Sequence, residues 1–248
     1  MGTIAYQQGD YGAARSLLEA GLASCRGAGA AGRRGVGWGL IFLGDLALQA
    51  GETEQARSRF AESVALLREL SDYGLLAYPL RRLGHLALQQ GDFQAAAALC
   101  TESLRLNLAI EDRLAVAACL AALAGVAAAE GQAAGAEPRA DYLRHAARLC
   151  GAVAAQLEAI GAPLWPADAA AFEGIAAAVG AQLGEAGFAA AASEGRAMTL
   201  EQLIERSADR VQPDAEERPA APDHPSRSPS ASPPAPPHNP PADAVPRA

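Results

Sequence analysis

The sequence predicts an all-α fold built as a stack of antiparallel helix pairs. Three segments repeat one pattern at an interval of about forty residues, and such an interval is typical of supersecondary units that bury their apolar faces on their neighbours. Half of the 248 residues are hydrophobic but only 5% are aromatic. An interior of Ala and Leu favours closely spaced helices over a sheet sandwich.

The repeated segments share a leucine, a small residue and a turn with glycine. They are 43–52 (LGDLALQAGE), 83–92 (LGHLALQQGD) and 123–132 (LAGVAAAEGQ), and residues 2–10 supply the end of the first helix of an earlier unit. A glycine directly after a helix ends it by taking a left-handed conformation, so each unit splits into two helices at its glycine. We predict longer, polar connectors between units at 71–74 and 111–113, which would account for the period near forty.

The helices of the second and third units follow from their apolar spacing. Residues at intervals of three and four predict a first helix over 38–50 and a second over about 54–70, and the third unit copies both. Small residues at Gly44, Gly84 and Ala124 leave room where two helices cross closely, since a bulky side chain there would push the pair apart.

The pattern changes after Gly131, where we predict capping helices. An insertion over 133–140 precedes a helix over 141–160, a proline turn, a helix over about 167–183, a short helix near 186–194 and a last helix to about 208. Thr199 and Gln202 form a capping box that opens the last helix. We therefore divide the chain into repeats over 1–136, with the first repeat truncated, and atypical capping helices over 137–211.

The remaining residues, 212–248, predict a disordered proline-rich tail. Twelve of the 16 prolines lie there, with almost nothing apolar enough to bury. Such a segment cannot offset its ordering entropy.

Charge and cysteine usage exclude several classes of protein. The net charge of −8 argues against direct nucleic-acid binding, which needs a basic surface. The cysteines lack the CxxC spacing of metal sites and three lie in apolar runs, so we expect buried free thiols in a reducing, cytoplasmic compartment. No secretory signal is visible, and no apolar stretch of 18 residues is free of glycine and charge, so we expect no membrane span.

No motif in the chain carries recognisable chemistry. The segment 27–32 (GAGAAG) matches GxGxxG, but a dinucleotide site requires a preceding strand, so we expect a flexible loop between units. None of the four histidines has a carboxylate or cysteine partner at a useful spacing. We expect no catalytic residue, no metal and no cofactor, and hence no enzyme.

One pattern resembles a known family. Leu40, Leu43-Gly44, the turn at Gly51, and then Ala56 and Phe60 are similar to the tetratricopeptide repeat (TPR), and the likeness recurs in register over about 2–136. The sequence departs from the family pattern at Ala47 and Ala87, where an aromatic residue is usual. It also lacks the proline that usually closes a repeat.

The resemblance implies a right-handed superhelical stack whose first helices line a concave groove for a protein or peptide partner. An aromatic, a charged residue and an amide recur along these helices at one-unit spacing, although a merely solvated face is the alternative. The candidate groove residues are Trp38, Asp45, Gln49, Tyr78, Arg81, His85 and Gln89. In the fourth unit the same places hold Ala118, Ala121 and Gly125, without polar lining.

The closing section is similar to the C-terminal end of large actinobacterial and chloroflexal regulators. The segments 147–152, 160–164, 183–188 and 194–201 carry this likeness. Such proteins place an NTPase module, with a LuxR-type or SARP-type DNA-binding domain or a nucleotide cyclase or kinase domain, ahead of the repeats. The resemblance implies a sensor module of a bacterial transcriptional or signalling regulator, which contacts the NTPase module within the same protein.

The chain begins inside a repeat, which predicts an N-terminal truncation of such a regulator or a start codon assigned too late. A free-standing TPR adaptor is the alternative. So is the regulatory part of a cyclase or kinase whose catalytic domain is missing.

Overall fold

The computed structural model describes residues 1–209, so the predicted tail over 212–248 lies outside the described residues. Residues 1–209 form α-helices and one turn of 3-10 helix at Gly29–Gly32, without a strand. The helices are α1 Gly2–Gln7, α2 Tyr11–Gly27, α3 Arg33–Gln49, α4 Thr53–Glu69, α5 Tyr73–Gln89, α6 Phe93–Ala109, α7 Arg113–Ala133, α8 Ala136–Ile160, α9 Pro166–Ala197 and α10 Leu200–Asp209. Each of α1 to α8 packs against the next helix in the chain, and α10 packs against α6, which confirms the predicted stack of helix pairs.

The forty-residue period has a different origin from the predicted one. Helices α3 to α6 each contain 17 residues, and only three residues separate one helix from the next, both within a unit and between units. The longer connectors predicted at 71–74 and 111–113 were wrong, because α5 already begins at Tyr73 and α7 at Arg113. The period comes from the length of the helices.

All these turns share one backbone geometry. Gly91, in the turn within the third unit, has φ 76°, a conformation that glycine adopts at little steric cost. Between units the equivalent residues are Ser71 and Glu111, with φ 53° and 58°. The residue that follows then caps the next helix: the carboxylate of Asp92 accepts a hydrogen bond from the Ala95 N–H at 3.0 Å.

The caps can be tested on two equivalent turns. We expect Asp92→Ala to lower the free energy of unfolding by about 1 kcal/mol, because it leaves a helix N-terminal N–H without its partner. Glu52, at the same place one unit earlier, makes no side-chain capping bond and only an exposed ion pair with Arg15. Glu52→Ala should therefore cost less, about 0.5 kcal/mol. Urea denaturation followed by circular dichroism measures both, and equal losses would contradict the capping role.

The small residues on the first helices do lie where helices cross closely. A Cβ added to Gly44 would lie 2.6 Å from Cε1 of Phe60, and one added to Gly84 would lie 2.6 Å from Sγ of Cys100. Phe60 and Cys100 are themselves buried. The steric reason predicted from the sequence is confirmed at these two crossings.

Two segments predicted as loops are ordered differently. Only two residues separate α7 from α8, so the insertion predicted over 133–140 is mostly helix. The glycine-rich segment 27–32 closes into the turn of 3-10 helix, and a Cβ on Gly32 would lie 1.8 Å from the Cys25 carbonyl oxygen. A glycine is needed at position 32 because the backbone packs closely on that carbonyl, and not because the segment is flexible.

The C-terminal helices follow the predicted order. Gly184 (φ 72°, ψ 161°) breaks α9 into a first half, 166–183, and a second half, 185–197, close to the two helices predicted. Thr199 and Gln202 exchange hydrogen bonds of 3.0 and 3.2 Å at the start of α10, which confirms the capping box. The second half of α9 packs tightly on α8, where Arg148 donates to Glu194 at 2.8 Å.

Two helices within residues 1–209 are long and apolar enough to cross a membrane by length and composition. They are Arg113–Ala133, with 72% of the apolar window buried, and Asp168–Ala197, with 11% buried. The first is α7, whose apolar composition is explained by its burial inside the helix stack. The absence of a membrane span stays a prediction.

Candidate functional site

The predicted groove residues all lie on two neighbouring first helices. Trp38, Asp45 and Gln49 belong to α3, and the other four belong to α5. Helix α3 contacts α5, and α5 contacts α7, so the first helices lie side by side. We call the surface formed by α1, α3, α5 and α7 the first-helix face.

A buried carboxylate organises the middle of this face. Asp45 is only 3% exposed and accepts a hydrogen bond from the Tyr78 hydroxyl at 2.8 Å. Arg82 donates to the same carboxylate twice, from Nε at 2.8 Å and Nη2 at 2.6 Å. Burial and the Asp45 carboxylate raise the pKa of Tyr78, so its hydroxyl stays protonated and remains a donor. These three side chains form a polar cluster that is fixed before any partner binds.

The sequence missed Arg82 as a member of this cluster. It lies 37 residues from Asp45, a separation at which no local spacing indicates a pair. Of the predicted residues, Tyr78 is the one whose hydrogen bond to the Asp45 side chain the structure shows. Guanidinium carbons of Arg81 and Arg82 lie 5.5 Å from the Tyr78 ring centroid, within the range of cation–π attraction.

Aromatic rings continue the face toward its N-terminal end. Trp38 is 45% exposed, and its ring centroid lies 5.2 Å from that of Phe42. Phe42 packs on Tyr6 at 5.8 Å, and Tyr6 on Tyr11 at 5.8 Å. Tyr11 is the first residue of α2, so the rings extend from the first-helix face onto the start of a second helix. We call Tyr6, Tyr11, Trp38 and Phe42 the aromatic row. Of these four residues only Trp38 was predicted, although the four-residue spacing of Trp38 and Phe42 on one helix was an available signal.

Three predicted polar residues remain on the surface. His85 and Gln89 are exposed and lie one helical turn apart, with 3.1 Å between His85 Nε2 and Gln89 Nε2. Burial of part of the ring lowers the pKa of His85, and the Arg82 and Arg81 guanidinium groups lower it further, so the imidazole is neutral at pH 7. Gln49 is exposed at the end of α3. Amide and imidazole groups of this kind can donate to and accept from a partner's backbone.

Helix α9 covers the far end of the face. Nη1 of Arg81 donates to the Asp168 carboxylate at 2.9 Å, and Ile175 lies so close to Gly125 that a Cβ there would be 3.0 Å from Ile175 Cδ1. The part of the face without polar lining, at Ala118, Ala121 and Gly125, is thus the part that the first half of α9 covers. The sequence showed the small residues but not the helix that lies over them.

The comparison with protein families decides the nature of the first units. The family model described as tetratricopeptide repeat matches residues 1–69. These residues form a tetratricopeptide-repeat region. Helices α5 and α6 have the same lengths as α3 and α4, and the two pairs have the same glycine turn between their helices. No curated protein matches the chain.

TPR units in general are non-catalytic and mediate contacts between proteins. Within residues 1–209, no group of three or more His, Cys, Asp or Glu side chains is placed to hold a metal ion. Burial raises the pKa of both Cys100 and Cys150 to about 12, so these thiols are protonated at pH 7 and are poor nucleophiles.

Proposed function

We propose that the chain is a non-catalytic TPR module that binds an extended segment of a protein partner on the first-helix face, across α1, α3 and α5. The observation that carries this proposal is the aromatic row beside the Asp45–Arg82–Tyr78 cluster. Aromatic and arginine side chains dominate the binding energy of protein interfaces. Helix α9 already occupies the remaining part of the face.

The arrangement favours a peptide with an apolar or aromatic side chain. Trp38 and Tyr11 each present an exposed ring, and two rigid rings lose little conformational entropy on binding. Gln49, His85 and Gln89 supply hydrogen-bonding groups along the same face, as a peptide backbone requires. The buried cluster needs no rearrangement, because its hydrogen bonds are complete without a partner.

The peptide site can be tested with a random peptide library displayed on phage and selected against the full chain. We expect Trp38→Ala to weaken the selected peptides about thirtyfold, the effect of losing an interface hot spot. Trp165→Ala is the matched control, because Trp165 is 68% exposed, directly precedes α9 and is not part of the aromatic row. Fluorescence anisotropy measures the affinities, and circular dichroism checks that helicity is unchanged. Equal affinity for both variants, or no enriched peptide, would refute the site.

For the wider protein, we propose a cytoplasmic bacterial regulator of transcription or signalling in which this module contacts an NTPase domain. Support comes from the likeness of the segments between 147 and 201 to the ends of such regulators. The alternatives are a free-standing adaptor and the regulatory part of a cyclase or kinase. The coding sequence upstream of Met1 distinguishes them: an open frame into an NTPase domain supports the proposal, whereas an in-frame stop directly before Met1 favours the adaptor.

A further inference from the structure

A cavity of about 430 Å³ lies between α5, α7 and the first half of α9. This volume is within the range of small-molecule sites, about 300 to 1,000 Å³. Its walls are mainly apolar, with Leu88 from α5, Val126 from α7, and Phe172 and Ile175 from α9. The space exists because Ala118 and Ala121 present only methyl groups, where the preceding unit carries Tyr78 and Arg81.

The remaining part of the cavity wall is polar and rich in hydrogen-bond donors. Arg81 and Arg82 both line it, together with His85 and Asp168. Arg82 is occupied by its two bonds to Asp45. Arg81 instead faces a single carboxylate, and that carboxylate comes from α9.

The pairing of Arg81 with Asp168 indicates which ligand fits. The Arg81 side chain is 13% exposed and that of Asp168 is 21% exposed. Burial acts to lower the pKa of Arg81, but the Asp168 carboxylate raises it above its ordinary value, so the guanidinium is charged. A buried guanidinium requires a carboxylate beside it. Asp168 supplies this carboxylate. It belongs to the first half of α9, which is joined to the second half through the break at Gly184.

We propose that this cavity binds a small apolar monocarboxylate, whose carboxylate takes the place of Asp168 on Arg81. Its apolar body then lies against Val126, Phe172 and Ile175. The cavity has room for about fourteen water molecules at about 30 Å³ each, so a ligand of about ten heavy atoms fits. The cavity shares Arg82 and His85 with the proposed peptide surface but contains no residue of the aromatic row, and the proposal does not depend on peptide binding.

Isothermal titration calorimetry on the full chain tests the site, with octanoate as the probe and octanamide as its uncharged counterpart. We expect saturable one-to-one binding of octanoate and at least about tenfold weaker binding of octanamide, because the charge-assisted bonds to Arg81 are lost. Arg81→Gln should weaken octanoate at least about tenfold. Asp168→Asn should strengthen it about tenfold, because it removes the competing carboxylate.

The opposite changes in octanoate affinity expected for Arg81→Gln and Asp168→Asn distinguish a binding site from a purely structural ion pair. If the pair were only structural, both variants would melt at lower temperature and neither would gain affinity. Arg68→Gln is the matched control: it breaks the exposed Arg68–Glu102 pair, outside the cavity, and should leave octanoate binding unchanged.

A further variant, Ala121→Leu, should abolish binding by filling the cavity while leaving both charged groups in place. If Arg81→Gln does not fold, Asp168→Asn and Ala121→Leu decide the question. Failure of octanoate to bind both the wild-type chain and Asp168→Asn would overturn the proposal. So would equal binding of octanamide, or undiminished binding to Ala121→Leu.

Discussion

Gly195→Ala should destabilise the packing of α9 on α8 by about 3 kcal/mol, a large effect for one methyl group. A Cβ at this position would lie 1.9 Å from the carbonyl oxygen of Arg148 and 2.5 Å from its carbonyl carbon. Both atoms belong to the backbone of α8, so no side chain can rotate out of the way. The two helices would have to move apart along the second half of α9.

The matched control is the same substitution at Gly174, in the first half of α9. A Cβ there would meet no atom within 4 Å, so Gly174→Ala should stabilise the protein by about 0.5–1 kcal/mol through the helix propensity of alanine. Thermal and urea denaturation, followed by circular dichroism, measure both variants. Stabilisation by both substitutions would show that α8 and α9 accommodate a Cβ at position 195 without loss, and would contradict the steric argument.

Asp45→Asn should lower the free energy of unfolding by about 3 kcal/mol, because it leaves the Arg82 guanidinium without its buried partner. Arg82→Gln should have a similar cost for the reciprocal reason. The double variant should lose clearly less than the sum of the two, since the interaction can be lost only once. Urea denaturation of the four proteins closes the double-mutant cycle.

An exposed ion pair provides the comparison for this cycle. Glu62 pairs with Arg26 at 2.8 Å, and both side chains are nearly half exposed. Glu62→Gln should therefore cost less than about 1 kcal/mol, as is typical of surface pairs. Additive losses at Asp45 and Arg82 would mean that each residue stabilises the fold independently of the other.

The sequence predicted the helical pairs because the repeated glycines and small residues have local causes. Gly91 ends a helix through its own backbone, and Gly44 is small because Phe60 lies opposite in the same unit. The turns between units were harder to recognise. Ser71 and Glu111 adopt the left-handed conformation without being glycine, so their polar neighbourhood suggested a longer connector than the structure contains.

The candidate site could be predicted only in outline. Register along the repeat placed Asp45, Tyr78 and Arg81 on adjacent first helices, and the structure agrees. It could not show the partners of these side chains, because Arg82 lies 37 residues from Asp45 and Asp168 lies 87 residues from Arg81. Pairs at such separations depend on how whole helices pack, and the apolar spacing of a single helix does not contain that information.

The equal helices and equal turns have a consequence for how this region can change in length. Helices α3 to α7 begin at residues 33, 53, 73, 93 and 113, so each begins twenty residues after the one before. Loss or duplication of forty residues at any of these turns preserves the alternation of first and second helices, whereas a change of twenty residues would exchange their roles. Stacked units contact mainly their neighbours. Recombination between equivalent turns would therefore lengthen or shorten the stack by whole helix pairs, and the turn at each new junction would keep the backbone geometry of the existing turns.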